Sequence, residues 1–132
     1  MKITDISTAL TTENIEETKN FYIQHFGAKV TFDCGWYVNL EFGSQAQTLQ
    51  FMSPQNEHQR PFDGAGVTFN FAVENVDEVH EKLVSAGLKA TLPLEDHDWG
   101  DRGFAVQDPN GVTLYIYTLT EPSAEFKKFF ID

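Results

Sequence analysis

Two stretches of this chain are copies of one another. Thr11-Thr12-Glu13-Asn14-Ile15-Glu16-Glu17 returns as Ala72-Val73-Glu74-Asn75-Val76-Asp77-Glu78, displaced by 61 positions (75 − 14 = 61), and each copy opens an apolar helical pattern that stops at a glycine. Farther on, Thr48-Leu49-Gln50-Phe51 corresponds to Thr113-Leu114-Tyr115-Ile116 at a displacement of 65 (113 − 48 = 65). A chain made of two related units folds as one architecture used twice. Repeated units commonly pack with equivalent faces together, so matched positions on inward faces are the first place to look for a site.

The repeated elements follow from local pattern. Short strand-like runs, Ile6 to Leu10 and Val67 to Val73, lead into Asn14 with Glu17 and Asn75 with Glu78. That spacing lets the Asn side chain accept a helix N–H while the Glu reaches back. Helix one then carries Ile15, Phe21, Tyr22 and Phe26 toward a core, and helix two carries Val76, Val79, Leu83 and Val84. Gly27 and Gly87 end them in the left-handed conformation. Strand-like runs follow: Lys29 to Asp33, Trp36 to Phe42 and Thr48 to Met52, then Lys89 to Leu92, Gly103 to Gln107 and Val112 to Thr118. Asp108-Pro109-Asn110-Gly111 is a turn signal, which makes Phe104 to Tyr117 a hairpin. The expected organisation is a single domain over 1–132, with a β-α-β-β-β module at 1–53, a connector at 54–66, a second module at 67–120 and a C-terminal helix at 121–132. Phe126, Phe129 and Phe130 on that last helix are expected to pack on a sheet or a partner subunit rather than touch a ligand.

Composition narrows the function. A net charge of −11 leaves no cluster of Lys and Arg to neutralise phosphates, which argues against a nucleic-acid partner and toward a neutral or cationic small molecule. The acidity is equally explained as a solubility device. No apolar run is long enough to span a bilayer, and Met1 to Asp5 lacks the apolar core of a signal peptide. Cys34 is the single cysteine and forms no internal disulfide, as in a reducing compartment, so a cytoplasmic protein with no membrane partner is expected.

Asn14 to Tyr22 in the first helix, and Trp99-Gly100-Asp101-Arg102-Gly103-Phe104 running into Asp108-Pro109-Asn110-Gly111, resemble the vicinal oxygen chelate superfamily. It includes glyoxalase I, bleomycin- and fosfomycin-resistance proteins, extradiol dioxygenases and methylmalonyl-CoA epimerase. The resemblance spans nearly the whole chain and is nearest to the bleomycin-resistance type. It implies an α+β fold in which two tandem βαβββ modules form a cup-shaped, eight-stranded mixed sheet, usually completed in a homodimer. In metal-using members the first strand of each module supplies a ligand, commonly His, and the last strand another, commonly Glu. By that resemblance the positions fall on Ser7 and Thr68 (68 − 7 = 61) and on Gln50 and Tyr115 (115 − 50 = 65). Hydroxyls and an amide are weak ligands for the cations that carboxylates and imidazoles hold. No catalytic metal, and no other cofactor, is expected there.

Other constellations have bland readings beside their functional ones. His25, His58, His80 and His97 lack the paired spacing of a metal site: His25 suits a helix C-terminus, His80 a polar helix face, and His58 and His97 loops. Glu95-Asp96-His97-Asp98 either holds a cation or is a solvated acidic loop. Cys34 has no visible base, so a small buried or half-buried residue is its default. Trp36, Trp99 and Tyr115 suit a pocket for a flat or apolar molecule, against a core or interface role; for Tyr37 the core role leads. Arg102 either clamps a ligand carboxylate or pairs with Asp101 or Asp108.

The sequence thus points to a metal-independent protein that binds a small organic ligand, such as a cationic antibiotic, as bleomycin-resistance proteins sequester theirs. Trp36, Trp99 and Tyr115 would wall the ligand, Ser7, Gln50, Thr68 and Asn70 would offer neutral hydrogen bonds, and Arg102 would contribute a charge. The rival is a metal-dependent glyoxalase-like lyase, isomerase or dioxygenase with an atypical site. A third possibility is metal-free acid–base catalysis by Tyr115 with a loop carboxylate such as Asp98.

Overall fold

A computed structural model describes residues 1–131. The chain divides into two units, Met1–Gly64 and a second beginning at Ala65, each with its own helix and four-stranded mixed sheet.

In the first unit β1 (Thr8–Thr11), α1 (Ile15–Phe26), β2 (Lys29–Asp33), β3 (Tyr37–Phe42) and β4 (Gln47–Met52) assemble in the order β1-β4-β3-β2. The β1–β4 pair is parallel and the others antiparallel. Alternation along the strands sends Leu10, Val38, Leu40 and Phe51 to the face beneath α1, all buried. There Tyr22 is fully buried with its ring stacked on Phe51 at 5.3 Å. Burying a ring of that size stabilises the unit by about 2–3 kcal/mol.

The second unit repeats this plan with β5 (Thr68–Ala72), α2 (Val76–Ser85), β6 (Leu92–His97), β7 (Asp101–Gln107) and β8 (Thr113–Leu119) in the order β5-β8-β7-β6. Phe69, Phe104, Val106, Leu114 and Ile116 are buried on the helix side with Val76 and Leu83. The turn at Asp108 forms as expected. Its carboxylate accepts from the N–H groups of Asn110 (2.8 Å) and Val112 (2.9 Å), and Gly111 takes φ +85°.

Several expectations are corrected. The acidic stretch 95–97 is strand, not loop, and the strand expected at Lys89 to Leu92 begins only at Leu92. Pro93 lies inside it, tolerated because β6 is an edge strand whose register shifts between Leu92 and Glu95. Asn75 caps α2, accepting from the Glu78 N–H at 3.1 Å, but the Asn14 side chain makes no cap bond. Thr12 Oγ1 instead accepts the Asn14 N–H at 2.9 Å and holds Asn14 at φ −118°, ψ 51°, outside the extended conformation of Asn75. Val84 is exposed, Cys34 is exposed, and His80 sets its ring edge-on to Phe104 at 4.8 Å rather than on a purely polar face. The C-terminal helix is a single turn, α3 (Ala124–Lys127); Asp132, the end of the expected helix, lies outside the described residues. Phe126 meets Trp99 edge-on at 6.5 Å, while Phe129 and Phe130 are exposed.

Candidate functional site

The face of the second sheet opposite α2 carries His97, Asp101, Tyr115 and Tyr117. Cross-strand partners point the same way, so Asn70 with Tyr115, Ala105 with Tyr115, Gly103 with Tyr117, and His97 with Asp101 all present to this face. His97 and Asp101 are the closing pair of the β6–β7 hairpin. Its three-residue loop, Asp98-Trp99-Gly100, is shut by a Gly100 N–H to His97 carbonyl bond of 3.1 Å, with Gly100 at φ +112°.

That closure builds a compact cluster. Oδ1 of Asp101, whose residue is only 6% exposed, lies 2.7 Å from His97 Nδ1 and accepts the Tyr115 hydroxyl at 2.8 Å. The Tyr115 oxygen is also 3.1 Å from Nδ1. The imidazole lies flat on the Trp99 indole, with centroids 4.3 Å apart and planes 6° from parallel. Tyr117 stacks on Tyr115 at 5.5 Å. Tyr115 can lean over the neighbouring strand only because residue 103 is glycine: a Cβ there would sit 2.7 Å from both Cζ and Oη of Tyr115. Burial, and then the hydrogen bond to the Asp101 carboxylate, push the Tyr115 phenol well above its ordinary value. Tyr115 is therefore a protonated donor at neutral pH.

The matched face of the first sheet is built from neutral groups. Gln50 is buried, and its Nε2 donates to Asn39 Oδ1 (2.7 Å) and Thr48 Oγ1 (3.0 Å), while Asn39 Nδ2 donates to Thr31 Oγ1 at 2.5 Å. Trp36 is 48% exposed, edge-on to Tyr37 at 6.0 Å.

The residues singled out from sequence therefore fall in three groups. Tyr115, Trp99 and Asn70 share the second unit's open face, with Thr68 two residues along β5 and exposed. Gln50 and Trp36 belong to the first unit, as does Ser7, which precedes β1 and is exposed. Arg102 points to the helix side, where Nε and Nη2 hold both carboxylate oxygens of Asp77 (3.1 and 2.8 Å) and Nη1 lies 3.5 Å from Asp96. Its partner is on α2, not Asp101 or Asp108. Each member of the Asp77–Arg102 pair stabilises the charge of the other, lowering the Asp77 carboxyl and raising the guanidinium.

Sequence reasoning missed His97 and Asp101 as a pair. The signal was available: Gly100 as the last residue of a three-residue loop, Asp98-Trp99-Gly100, sets positions 97 and 101 opposite each other. The four positions where related metal enzymes carry ligands do not fit a metal here. Gln50 offers a neutral amide whose Nε2 donates to Asn39 and Thr48, Tyr115 keeps its proton, and Ser7 and Thr68 offer neutral hydroxyls. Among the described residues, no group of three or more His, Cys, Asp or Glu side chains is arranged to hold a metal ion.

Residues 6–116 match the model of the Glyoxalase/Bleomycin resistance protein/Dioxygenase superfamily. An uncharacterized protein of Mycobacterium bovis is 36% identical over 62 residues, which cover 47% of this chain and 39% of that protein. The matched segment thus spans about two fifths of that relative's length. Among solved structures, a virulence protein from Salmonella typhimurium superposes with a TM-score of 0.73 at 22% identity, covering 91% of this chain and all (100%) of the other. A lactoylglutathione lyase from Agrobacterium tumefaciens gives 0.70 at 19% identity, covering 89% and 96%. At such identities these likenesses concern the fold alone.

Proposed function

The chain belongs to the Glyoxalase/Bleomycin resistance protein/Dioxygenase superfamily, and from that premise we propose that it binds a small organic molecule without a metal, in the manner of an antibiotic-sequestering protein. The observation that carries this reading is the plate formed by Trp99 and His97, parallel at 4.3 Å, with the indole still 49% exposed. A rigid aromatic plate with an open part suits a flat ligand, and stacking there costs little side-chain entropy because the imidazole already fixes the indole.

Polar groups around it set the ligand's character. Asn70 and Thr68 offer neutral hydrogen bonds from β5. The net charge of −11, with Glu95 3.5 Å from the His97 ring, favours a neutral or cationic molecule over an anion. Arg102, committed to Asp77, supports the hairpin rather than a ligand carboxylate. The protein acts as a homodimer in the cytoplasm in this reading.

Tryptophan-fluorescence titration with bleomycin, a cationic glycopeptide, tests it. Saturable quenching is expected, and Trp99→Ala should weaken binding by on the order of tenfold or more, about 1–3 kcal/mol for loss of an aromatic anchor, with the circular dichroism spectrum unchanged. Stoichiometric metal that survives purification and is needed for binding would overturn the metal-independent assignment and favour a lyase, isomerase or dioxygenase. No quenching by bleomycin would remove the antibiotic-sequestering assignment.

A further inference from the structure

Ligand binding on the plate leaves one neighbouring group unused, the Nε2 of His97. An ionised carboxylate can only accept, so the 2.7 Å contact with Asp101 Oδ1 places the ring hydrogen on Nδ1. In the neutral imidazole the lone pair then sits on Nε2. That nitrogen lies 3.5 Å from Glu95 Oε1, on a side chain that is 59% exposed. Three fixtures hold the ring: the hydrogen bond from Nδ1, the parallel Trp99, and the Tyr115 hydroxyl that anchors the shared Asp101 oxygen. A carboxylate behind one nitrogen, with the other nitrogen open, is the arrangement of a general base.

We propose that His97 is a metal-free general base, oriented by Asp101, that removes a proton from a neutral or cationic planar small molecule seated against the exposed part of Trp99. The proposal rests on the ligand-binding reading above and adds a proton-transfer step to it. Asp101 is a positioning residue, acting through the imidazole. The groups facing the ring are Glu95 from β6, Asp101 from β7, Tyr115 from β8 and Trp99 from the hairpin loop. Two are carboxylates, so an anionic substrate is repelled. Tyr115, held protonated, is a donor here and not the base.

The probe is 5-nitrobenzisoxazole, a neutral planar molecule whose ring opening needs only a base. Nε2 takes the C3 proton, the C3–H electron pair becomes part of the nitrile as the N–O bond breaks, and the N–O pair leaves on oxygen as a coloured cyanonitrophenolate. The imidazolium then returns its proton to water, so no co-reactant is consumed.

The chain should open the probe faster than buffer, in proportion to protein concentration. His97→Gln should remove on the order of a hundredfold of that acceleration. Asp101→Asn should lower the rate and move the ring hydrogen of neutral His97 toward Nε2, read by proton–nitrogen NMR, because an amide can donate to Nδ1; a merely structural role would leave the tautomer unchanged. Trp99→Ala, which removes both the seat of the probe and one fixture of the ring, should raise KM and lower kcat. Independently of any variant's folding, long-range proton–nitrogen NMR of the unsubstituted protein should show neutral His97 with its hydrogen on Nδ1. A hydrogen on Nε2 in the neutral ring, no acceleration, or acceleration unchanged in His97→Gln would each overturn the proposal. A chain that binds bleomycin saturably yet shows one of those results keeps the binding reading and loses this one.

Discussion

Gly103 is the residue on which the shape of the site turns. It sits beneath the Tyr115 ring, where an added Cβ would fall 2.7 Å from Cζ and Oη and 2.9 Å from the Ile116 carbonyl oxygen, closer than real Cβ contacts come. Gly103→Ala must displace the phenol from Asp101, and such overpacking costs about 1–3 kcal/mol, which urea unfolding followed by circular dichroism would report. The same substitution should abolish the alkaline signature of Tyr115. The phenol's folded value is raised above its ordinary 10.0, so the proton is held more tightly in the native state. Its contribution is therefore fully present below about pH 10 and is lost as pH rises beyond that. Stability measured across pH 9 to 11 should fall less steeply in Tyr115→Phe than in the unsubstituted chain; equal slopes would mean that the phenol is not held as the geometry indicates.

The two helices show what a local pattern settles and what it leaves open. Both copies carry Asn followed three residues later by Glu, and both start helices at the expected residue, yet only Asn75 caps through its side chain. At the first helix Thr12, two residues upstream, takes the neighbouring N–H, an alternative as local as the cap and not ranked by spacing. Asn75→Ala should cost about 1 kcal/mol, Asn14→Ala at most a few tenths, and Thr12→Ala more than Asn14→Ala, all read from urea midpoints. A full cap cost at Asn14 would contradict the assignment. The strands divide the same way. Most of them were legible from apolar alternation, but β6 was not, because Pro93, Glu95, Asp96 and His97 are poor strand formers that only an edge position with an irregular register accommodates. Losing β6 as a strand hid the facing of His97 and Asp101, so the site was read as Trp99 and Tyr115 without the dyad between them.

Across the whole chain the repeat keeps topology and varies chemistry. Both sheets run parallel at the first-to-last strand pair, and Ala9 faces Gln50 as Asn70 faces Tyr115. Around these matched centres the first unit uses amides and hydroxyls, Gln50, Asn39, Thr48 and Thr31, which keep one protonation state at any ordinary pH. The second replaces the position of Asn39 by Ala105 and that of Tyr37 by Gly103, clearing room for the larger Tyr115 to reach Asp101 and His97. Among the described residues no group of three or more His, Cys, Asp or Glu side chains is arranged to hold a metal ion, so neither centre presents the donor set that holds a divalent cation tightly. The thermal midpoint and the bleomycin affinity should therefore be unchanged by EDTA and by added Zn, Ni, Mn or Fe(II), whereas a native-state metal would raise the midpoint in proportion to the logarithm of its concentration. Sedimentation velocity on the same samples should give about 30 kDa (2 × 15.0 kDa) if the proposed homodimer forms, with or without chelator, and about 15.0 kDa if it does not. A midpoint that climbs with one of those metals would show that some ligand set outside the matched centres binds it, and the binding reading would then have to be rebuilt around that ion.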